Sequence, residues 1–310
     1  MNLTLKNGAP VSKLCFGAMQ FGGTADHRAS QEMYEACRAR GINFFDTAYS
    51  YTDGTSETWL GAFIRPERDA VYVATKAANG GRATREALRS QLSESLQRLG
   101  IDGVDALYLH RWDAETPLEE TFGTVAEFRA EGKIRHVGVS NYAAWQVMKA
   151  IRVAAEFELT ISLIQPMYSL VKRQVEVEIL PMAMDQGIAV VPYSPLGGGL
   201  LTGKYRGAAT GRITDDPRYA ARYREAWMHE AAAHLAELAD EVGVAAPTLA
   251  VAWVAAQPAV FAPIISARSR AQLEPALAAL DFEMDVDVMA RMTALSPTPA
   301  PATDRLEERA

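Results

Sequence analysis

The chain has 310 residues, 49% of them hydrophobic, and 31 Lys+Arg against 38 Asp+Glu give a net charge of −7. That is enough material for one large core, since α/β barrels run to roughly 250 residues or more, and the acidic balance speaks against nucleic acid or an anionic membrane as partner. No apolar run approaches the roughly 18 residues of a membrane span. The opening segment, interrupted by Lys6, Asn7 and Gly8, lacks a secretory core. The two cysteines, Cys15 and Cys37, form neither a metal-type pair nor a disulfide framework, so the expected setting is the reduced cytoplasm.

Asn7-Gly8, between residues 3–5 and 11–14, predicts a β-hairpin ahead of the first long strand. Eight short apolar runs follow, at residues 13–18, 42–45, 70–75, 104–109, 134–139, 161–165, 188–192 and 260–266. Most are continuously apolar, as strands buried on both faces should be. Between them lie helical patterns. Ala29, Met33, Ala36 and Cys37 share one face; so do Leu88, Leu92, Leu96 and Leu99; so do Leu118, Phe122 and Val125; so do Ala144, Met148, Ile151 and Ala155. Gly41 and Gly100 stand where helices stop in the left-handed conformation. Alternation of this kind suits a closed (β/α)8 barrel and, equally in local pattern, an open doubly wound sheet. A long insertion at 197–246 separates the seventh and eighth runs and carries an extra helix near 227–242; insertions of that length are commonly lids or binding loops. Residues 1–295 are expected to form one domain, with 296–310, rich in Pro, Ala and charge, a poorly ordered tail.

Three near-motifs carry no chemistry. His229 and His234 are five residues apart, about 140° around a helix, so they cannot share a metal from one face. The run from Gly197 to Gly203 has Thr202 where a dinucleotide-type glycine motif requires glycine, and Gly203-Lys204-Tyr205 lacks the Ser/Thr of a P-loop. No metal site is expected, and a nucleotide, if bound, is held by other means.

In a barrel the chemistry sits at the C-terminal ends of the strands. The second run ends in Asp46, with Tyr51 five residues on; the third ends in Thr75-Lys76, the fourth in His110, the fifth in Ser140-Asn141, the sixth in Gln165 and the seventh in Tyr193-Ser194. An acid, a phenol, an amine and an imidazole thus converge from three adjacent strands. Taken singly, Asp46 and Lys76 also read as a structural ion pair, His110 as a satisfied histidine and Tyr51 as a loop aromatic; their order around the barrel favours a shared site.

These residues resemble the aldo-keto reductases. The resemblance rests on Phe44-Phe45-Asp46-Thr47-Ala48-Tyr49-Ser50-Tyr51, Ala74-Thr75-Lys76, Leu109-His110, Val137-Gly138-Val139-Ser140-Asn141, Gln165 and Tyr193-Ser194-Pro195-Leu196-Gly197, and it runs from about residue 14 to residue 280. It implies a (β/α)8 barrel that moves a hydride between a nicotinamide cofactor, NADPH with NADH as alternative, and the carbonyl of an aldehyde or ketone. It also implies the tetrad Asp46, Tyr51, Lys76 and His110. The chemistry agrees. A carbonyl receiving hydride needs a proton at oxygen; a phenol of pKa near 10 beside the Lys76 ammonium is expected to have that pKa lowered and to act as general acid. Asp46 holds Lys76 charged, and His110 orients the carbonyl. By the same resemblance Ser140, Asn141 and Gln165 hold the carboxamide, Tyr193 stacks on the nicotinamide, Ser194, Leu196, Gly198 and Lys204 line the pyrophosphate segment, and Arg268 and Gln272 meet the adenosine 2′-phosphate end. Met19, Phe21, Tyr51 and Trp112 are expected to border the substrate pocket.

The adenine end departs from the family. Ile265-Ser266 stands for the usual Pro-Gly, and Ala276 for an Asn that holds the adenine. Ser269 with Gln272 reads as a capping box, which places Pro275 inside a helix; alternatively the helix starts near Pro275. Two further readings stand beside the reductase. One is a nucleotide-binding accessory or sensing protein resembling the β-subunits of potassium channels. The other is a cofactor-free isomerase or aldolase with Lys76 as a Schiff-base amine. The partner in the leading reading is a small carbonyl compound, and the sequence carries no signal of oligomeric state.

Overall fold

The computed structural model describes residues 3–79, 82–206, 210–305 and 307. Its elements run β1 (Cys15–Gly17), α1 (His27–Ala39), β2 (Phe44–Asp46), α2 (Thr55–Ile64), β3 (Tyr72–Ala77), α3 (Arg85–Leu99), β4 (Val104–Leu109), α4 (Leu118–Ala130), β5 (Ile134–Ser140), α5 (Ala144–Ala155), β6 (Ile161–Gln165), α6 (Ile179–Asp185) and β7 (Ala189–Val190). Then come α7 (Arg212–Asp215), α8 (Pro217–Arg222), α9 (Ala226–Val242), α10 (Ala246–Ala255), β8 (Ile264–Ile265), α11 (Arg270–Leu277) and α12 (Val286–Ala294). All strand pairs are parallel, in the order β7-β6-β5-β4-β3-β2-β1-β8. The ends meet: Phe261 N donates to Val190 O (2.8 Å) and Ile264 N to Pro192 O (2.8 Å). This closure excludes the open sheet, and the architecture is a (β/α)8 barrel.

Two hydrophobic layers hold it together. Inside the barrel, Cys15, Phe44, Tyr72, Ala74, Ala106, Tyr108, Leu163, Ala189, Val191, Ala262 and Ile264 form one buried cluster. Large and small residues alternate there because the lumen is narrow. A Cβ at Gly138 would lie 2.5 Å from the Tyr108 ring, so only glycine admits that ring. The second layer lies between strands and helices and includes Met33, Leu88, Leu92, Phe122, Val147 and Leu249, each buried aliphatic or aromatic side chain contributing about 1.5–3 kcal/mol. The expected hairpin is present as a single bridge, Thr4 to Pro10, with Leu5 N donating to Ala9 O (2.8 Å) and Gly8 turning at φ +85°. Its Leu3, Leu5 and Val11 join the lumen cluster. They plug the N-terminal mouth, where β2 and β3 begin with Phe44 and Tyr72, and leave chemistry to the opposite rim.

The helix faces of α1, α3 and α4 are buried as the periodicity predicts. In α5 the expected stripe is wrong: Met148 is 42% exposed, and the buried face is Ala144, Val147, Ala150, Val153 and Ala154. Both stripes satisfy the helical period; the alanine and valine stripe lets the helix lie closer to the sheet, and Met148 is left in water. The extra helix of the insertion is α9, one residue longer at its start than expected, and the short α7 and α8 precede it. No single helix among the described residues is long and apolar enough to cross a membrane. His229 Nε2 is 2.9 Å from Tyr223 O, tying α9 to the turn after α8. Arg173 Nη1 donates to Thr293 O (3.0 Å), Ser296 Oγ (3.2 Å) and Ser296 O (3.3 Å), which anchors the first residue of the C-terminal tail. Cys15 and Cys37 are both buried free thiols.

Candidate active site

The β2–α2 loop is built to hold one phenol. After Asp46 the chain passes Tyr51 and then turns through Thr52 (φ +47°) and Asp53 (φ +51°), left-handed conformations that are costly for a β-branched residue. Hydrogen bonds hold the strain in place: Thr52 Oγ1 donates to Phe21 O (2.7 Å) and accepts from Ser56 N (3.0 Å). Beneath the loop, the buried Glu57 accepts from Thr75 Oγ1 (2.6 Å) and from Arg98 Nη1 (3.2 Å), and the same Arg98 nitrogen donates to Tyr49 O (2.9 Å). Sequence reasoning missed this brace; its signal was a glutamate on the apolar side of α2.

At the rim, Lys76 Nζ lies 2.5 Å from Asp46 Oδ2, 2.7 Å from Thr47 O and 3.3 Å from the Tyr51 hydroxyl. Gln165 Nε2 donates to the other Asp46 oxygen at 2.9 Å. The Tyr51 and His110 rings meet edge-on with centroids 5.9 Å apart. The four residues drawn from β2, its loop, β3 and β4 are thus one cluster, with Lys76, Asp46 and His110 all buried. Burial alone would discharge Lys76, but Asp46 and Tyr51 outweigh it and hold the ammonium above its usual range.

The expectation for Tyr51 requires correction. Burial pushes its pKa above the ordinary phenol value, with Lys76 opposing the rise. The reason is that Lys76 is already neutralised by Asp46, so desolvation dominates. Tyr51 therefore carries its proton throughout the neutral range. His110 is driven down to about 3 by burial and then by the charges of Lys76 and Arg111, so its imidazole is neutral. Nδ1 is buried with no hydrogen-bond partner among the described residues. Trp112 packs edge-on against Tyr142 and Trp145 beside the rim (5.2 and 5.6 Å). Phe21, expected at the pocket, is fully buried between Phe16 and Phe63 and offers no surface.

The adjoining groove follows the strand ends. Ser140 Oγ donates to Gln165 O (2.8 Å), Asn141 Nδ2 to His110 O (2.9 Å), and the Tyr193 hydroxyl to Asn141 Oδ1 (2.7 Å). Ser140, Asn141, Gln165 and Tyr193 are therefore one connected polar set. Asn141 (φ +58°) and Ser194 (φ +61°) are left-handed, which turns the chain sharply at the ends of two strands. Beyond Leu196 the backbone stays in positive φ from Gly197 through Gly199. A Cβ at Gly198 would sit 2.9 Å from Tyr219 of α8 and 3.1 Å from Tyr223, and Lys204 Nζ lies 3.5 Å from the Cβ position of Gly199. Glycine here lets α8 and the turn after it pack closely against the loop. At the far end, Ser266 Oγ donates to Gly17 O (2.8 Å), sealing β8 to β1. Ser269 caps α11 by accepting from Gln272 N (3.4 Å), but Gln272 Oε1 accepts from Arg268 N (3.4 Å) rather than from Ser269 N, so the expected capping box is half formed; Pro275 lies inside the helix. Arg270 is paired with Glu274 (2.9 Å), whereas Arg268 has no carboxylate partner among the described residues. Ala276 is buried against α10.

A barrel closed at one mouth, with an acid–amine–phenol–imidazole cluster at the other, defines a class of oxidoreductase. The Aldo/keto reductase family model matches residues 13–297, and the chain belongs to that family. It is 34% identical over 296 residues to a probable voltage-gated potassium channel subunit beta of Arabidopsis thaliana, covering 89% of each chain. It is 32% identical over 318 residues to an uncharacterized oxidoreductase of Bacillus subtilis (96% of each chain). It is 38% identical over 212 residues to human aflatoxin B1 aldehyde reductase member 4, covering 66% of this chain and 63% of the relative.

Proposed function

We propose that this protein is an NADPH-dependent reductase of aldehydes or ketones, with Tyr51 as the general acid. The observation that carries the reading is the Tyr51 hydroxyl 3.3 Å from a Lys76 ammonium that is itself clamped by Asp46 at 2.5 Å. The donor set fits a nicotinamide dinucleotide: a hydroxyl and two amides at Ser140, Asn141 and Gln165 match a carboxamide, Tyr193 offers a ring, the Gly197–Gly199 backbone admits close approach of oxygens, and Lys204, Arg212 and Arg268 supply positive charge. Bound NADPH supplies the hydride that reduces the carbonyl carbon. Tyr51 gives its proton to the carbonyl oxygen, and Lys76 stabilises the phenolate left behind until solvent returns the proton. Neutral His110 donates through Nε2 to the same oxygen and fixes its direction. The buried Asp46–Lys76–Gln165 network holds these groups rigid, so little reorganisation is needed at the moment of transfer.

The similarity to a channel β-subunit favours a second reading, an accessory protein that binds nucleotide and turns over little. Two measurements separate them. Under the reductase reading, NADPH quenches tryptophan fluorescence in wild type and in Tyr51→Phe alike, while kcat with a simple aldehyde falls by about 100-fold or more in the variant, within the ~10²–10⁴-fold that general acids contribute. Tight binding without measurable turnover of any aldehyde or ketone would favour the accessory protein.

A further inference from the structure

Tyr51 stands on a segment that does not hold itself. After it three residues in succession are left-handed, Thr52 (φ +47°), Asp53 (φ +51°) and Gly54 (φ +89°). Two of them carry side chains, so the turn costs free energy that outside contacts must offset. The contacts after Tyr51 run through Thr52 Oγ1. Those before it meet at one residue: Tyr49 N donates to Lys76 O (3.0 Å), and Tyr49 O accepts from Arg98 Nη1 (2.9 Å). Arg98 belongs to α3 and reaches the loop from outside the barrel. It passes against Gly54, where a Cβ would lie 2.5 Å from the Arg98 Cζ and 2.9 Å from its Cδ. Glycine at 54 thus serves both the positive φ and the passage of the guanidinium.

The guanidinium is clamped in turn. Glu94 accepts from Nη2 (2.5 Å), the Tyr49 ring centre lies 4.7 Å from Cζ, and Glu57 accepts from Nη1 (3.2 Å). Glu57 is fully buried, and its other oxygen accepts from the hydroxyl of Thr75 (2.6 Å), the residue before Lys76. One carboxylate therefore ties together α3, the loop that carries Tyr51 and the strand that carries Lys76. Stability gives a poor account of it. A buried ion pair seldom outweighs its own desolvation, and α2 buries Leu60, Gly61 and Ile64 on the same face, where an apolar residue would pack as well. What the pair adds is direction. It acts on the phenol at one remove, through Tyr49 two residues before Tyr51 and through Thr75 one residue before Lys76.

We propose that Glu57 and Arg98 are positioning residues that hold the Tyr51 hydroxyl at hydrogen-bonding distance from Lys76. The role in turnover rests on the reductase reading; the effect on the loop does not. The double variant Glu57→Gln with Arg98→Met removes both charges at nearly constant volume, so neither is left orphaned. With a simple aldehyde at saturating NADPH, its kcat should fall about 10- to 100-fold, the scale of a misplacement by about an ångström. The Kd of NADPH and the KM of the aldehyde should change little. Backbone amides of residues 49–53 should exchange hydrogen faster in the same variant. Leu92→Ala, an apolar loss on the buried face of the same helix, should lower Tm and leave kcat unchanged. Glu57→Gln alone keeps the shape and an acceptor for Thr75; it should lower kcat severalfold, and it decides the matter if the double variant does not fold. An unchanged kcat, a fall of the same size in Leu92→Ala, or a Kd of NADPH that rises in step with the loss would each overturn the proposal. If wild type turns over no aldehyde or ketone, the reductase reading fails and exchange alone decides the pair. Faster exchange at 49–53 than in Leu92→Ala then keeps it, and equal exchange rejects it.

Discussion

The two ends of the groove are built differently. At the end proposed for the nicotinamide, the polar side chains are largely held by neighbours: Asp46 by Lys76 and Gln165, Asn141 by Tyr193, Ser140 by the Gln165 backbone carbonyl. At the adenine end the polar partners are few, with Ala276 turned into the core, Pro275 interrupting α11, and Arg268 held only through its backbone N. On the proposed reading the first end must present groups to a reacting atom within a fraction of an ångström, which buried networks accomplish. On the same reading the second need only add affinity, and its looseness leads us to expect that cofactor binding depends on phosphate charge more than on recognition of the base.

Breaking the rigid end should have the largest effect. Lys76→Met removes the charge that, in the proposed mechanism, stabilises the Tyr51 phenolate, and leaves Asp46 buried without its counter-charge. The expected outcome is a loss of about 100-fold or more in kcat together with a stability loss of about 3–5 kcal/mol, the cost of orphaning one member of a buried pair. Adding Asp46→Asn should restore much of the stability and none of the activity, as urea unfolding and steady-state rates would report. Recovery of activity in the double variant would mean that Lys76 acts only as a structural partner.

The same burial predicts a pH effect. His110 titrates at about 3 in the folded chain against an ordinary 6.5, so between those values the unfolded chain binds a proton that the folded one does not. Its contribution to stability is complete above pH 6.5 and is lost as pH falls towards 3, at about 1.4 kcal/mol per pH unit across that window. His110→Gln should therefore flatten the acid side of the stability profile between pH 6.5 and 4.5. Parallel profiles for wild type and variant would show that the folded imidazole is charged. Activity should show no limb from His110 near neutrality.

The contrast between the ends also governs what could be read in advance. Strand positions were legible because buried parallel strands are continuous apolar runs, and the rim residues because barrel topology places each strand's last residue on one mouth. The Tyr51 pKa was not legible: its direction is set first by burial and then by Lys76 against Asp46, with Asp46 and the phenol at 2.5 Å and 3.3 Å from the ammonium, and spacing reports neither. The α5 face was lost because two apolar stripes fit one period. The insertion was legible as a charged segment, but which of its arginines is neutralised by a neighbour depends on rotamers and turns that no motif encodes.

At the loose end the expected effects are smaller. Arg268→Ala should raise the Kd of NADPH by tens of fold, consistent with the roughly 1.5–3 kcal/mol of a charge-assisted contact, with little change in kcat or in the Kd of NADH. Titration of both cofactors at fixed salt checks this. A variant that still prefers NADPH as strongly would move the 2′-phosphate contact to Lys204 or Arg212.

The smallest effect belongs to Pro275. It lies inside α11, so its ring nitrogen cannot donate to Ala271 O, and the helix is one hydrogen bond short in its middle. The carbonyl of the same residue does work, accepting from Thr248 Oγ1 at 2.7 Å and so joining α11 to α10. Pro275→Ala keeps that carbonyl and restores the missing donor. It also loosens the unfolded chain, which offsets part of the gain by about 0.4–1 kcal/mol. The net expectation is a stabilisation of about 1–2 kcal/mol, a rise of a few degrees in Tm for a chain of this size, with the Kd of NADPH altered by less than about threefold. A fall in Tm would show that the proline fixes the carbonyl's direction towards Thr248 and that the interruption is part of how α11 docks. An unchanged Tm with a large gain in cofactor affinity would show that the helix, once straightened, meets the adenine after all, and the two ends of the groove would then differ in rigidity by this one residue.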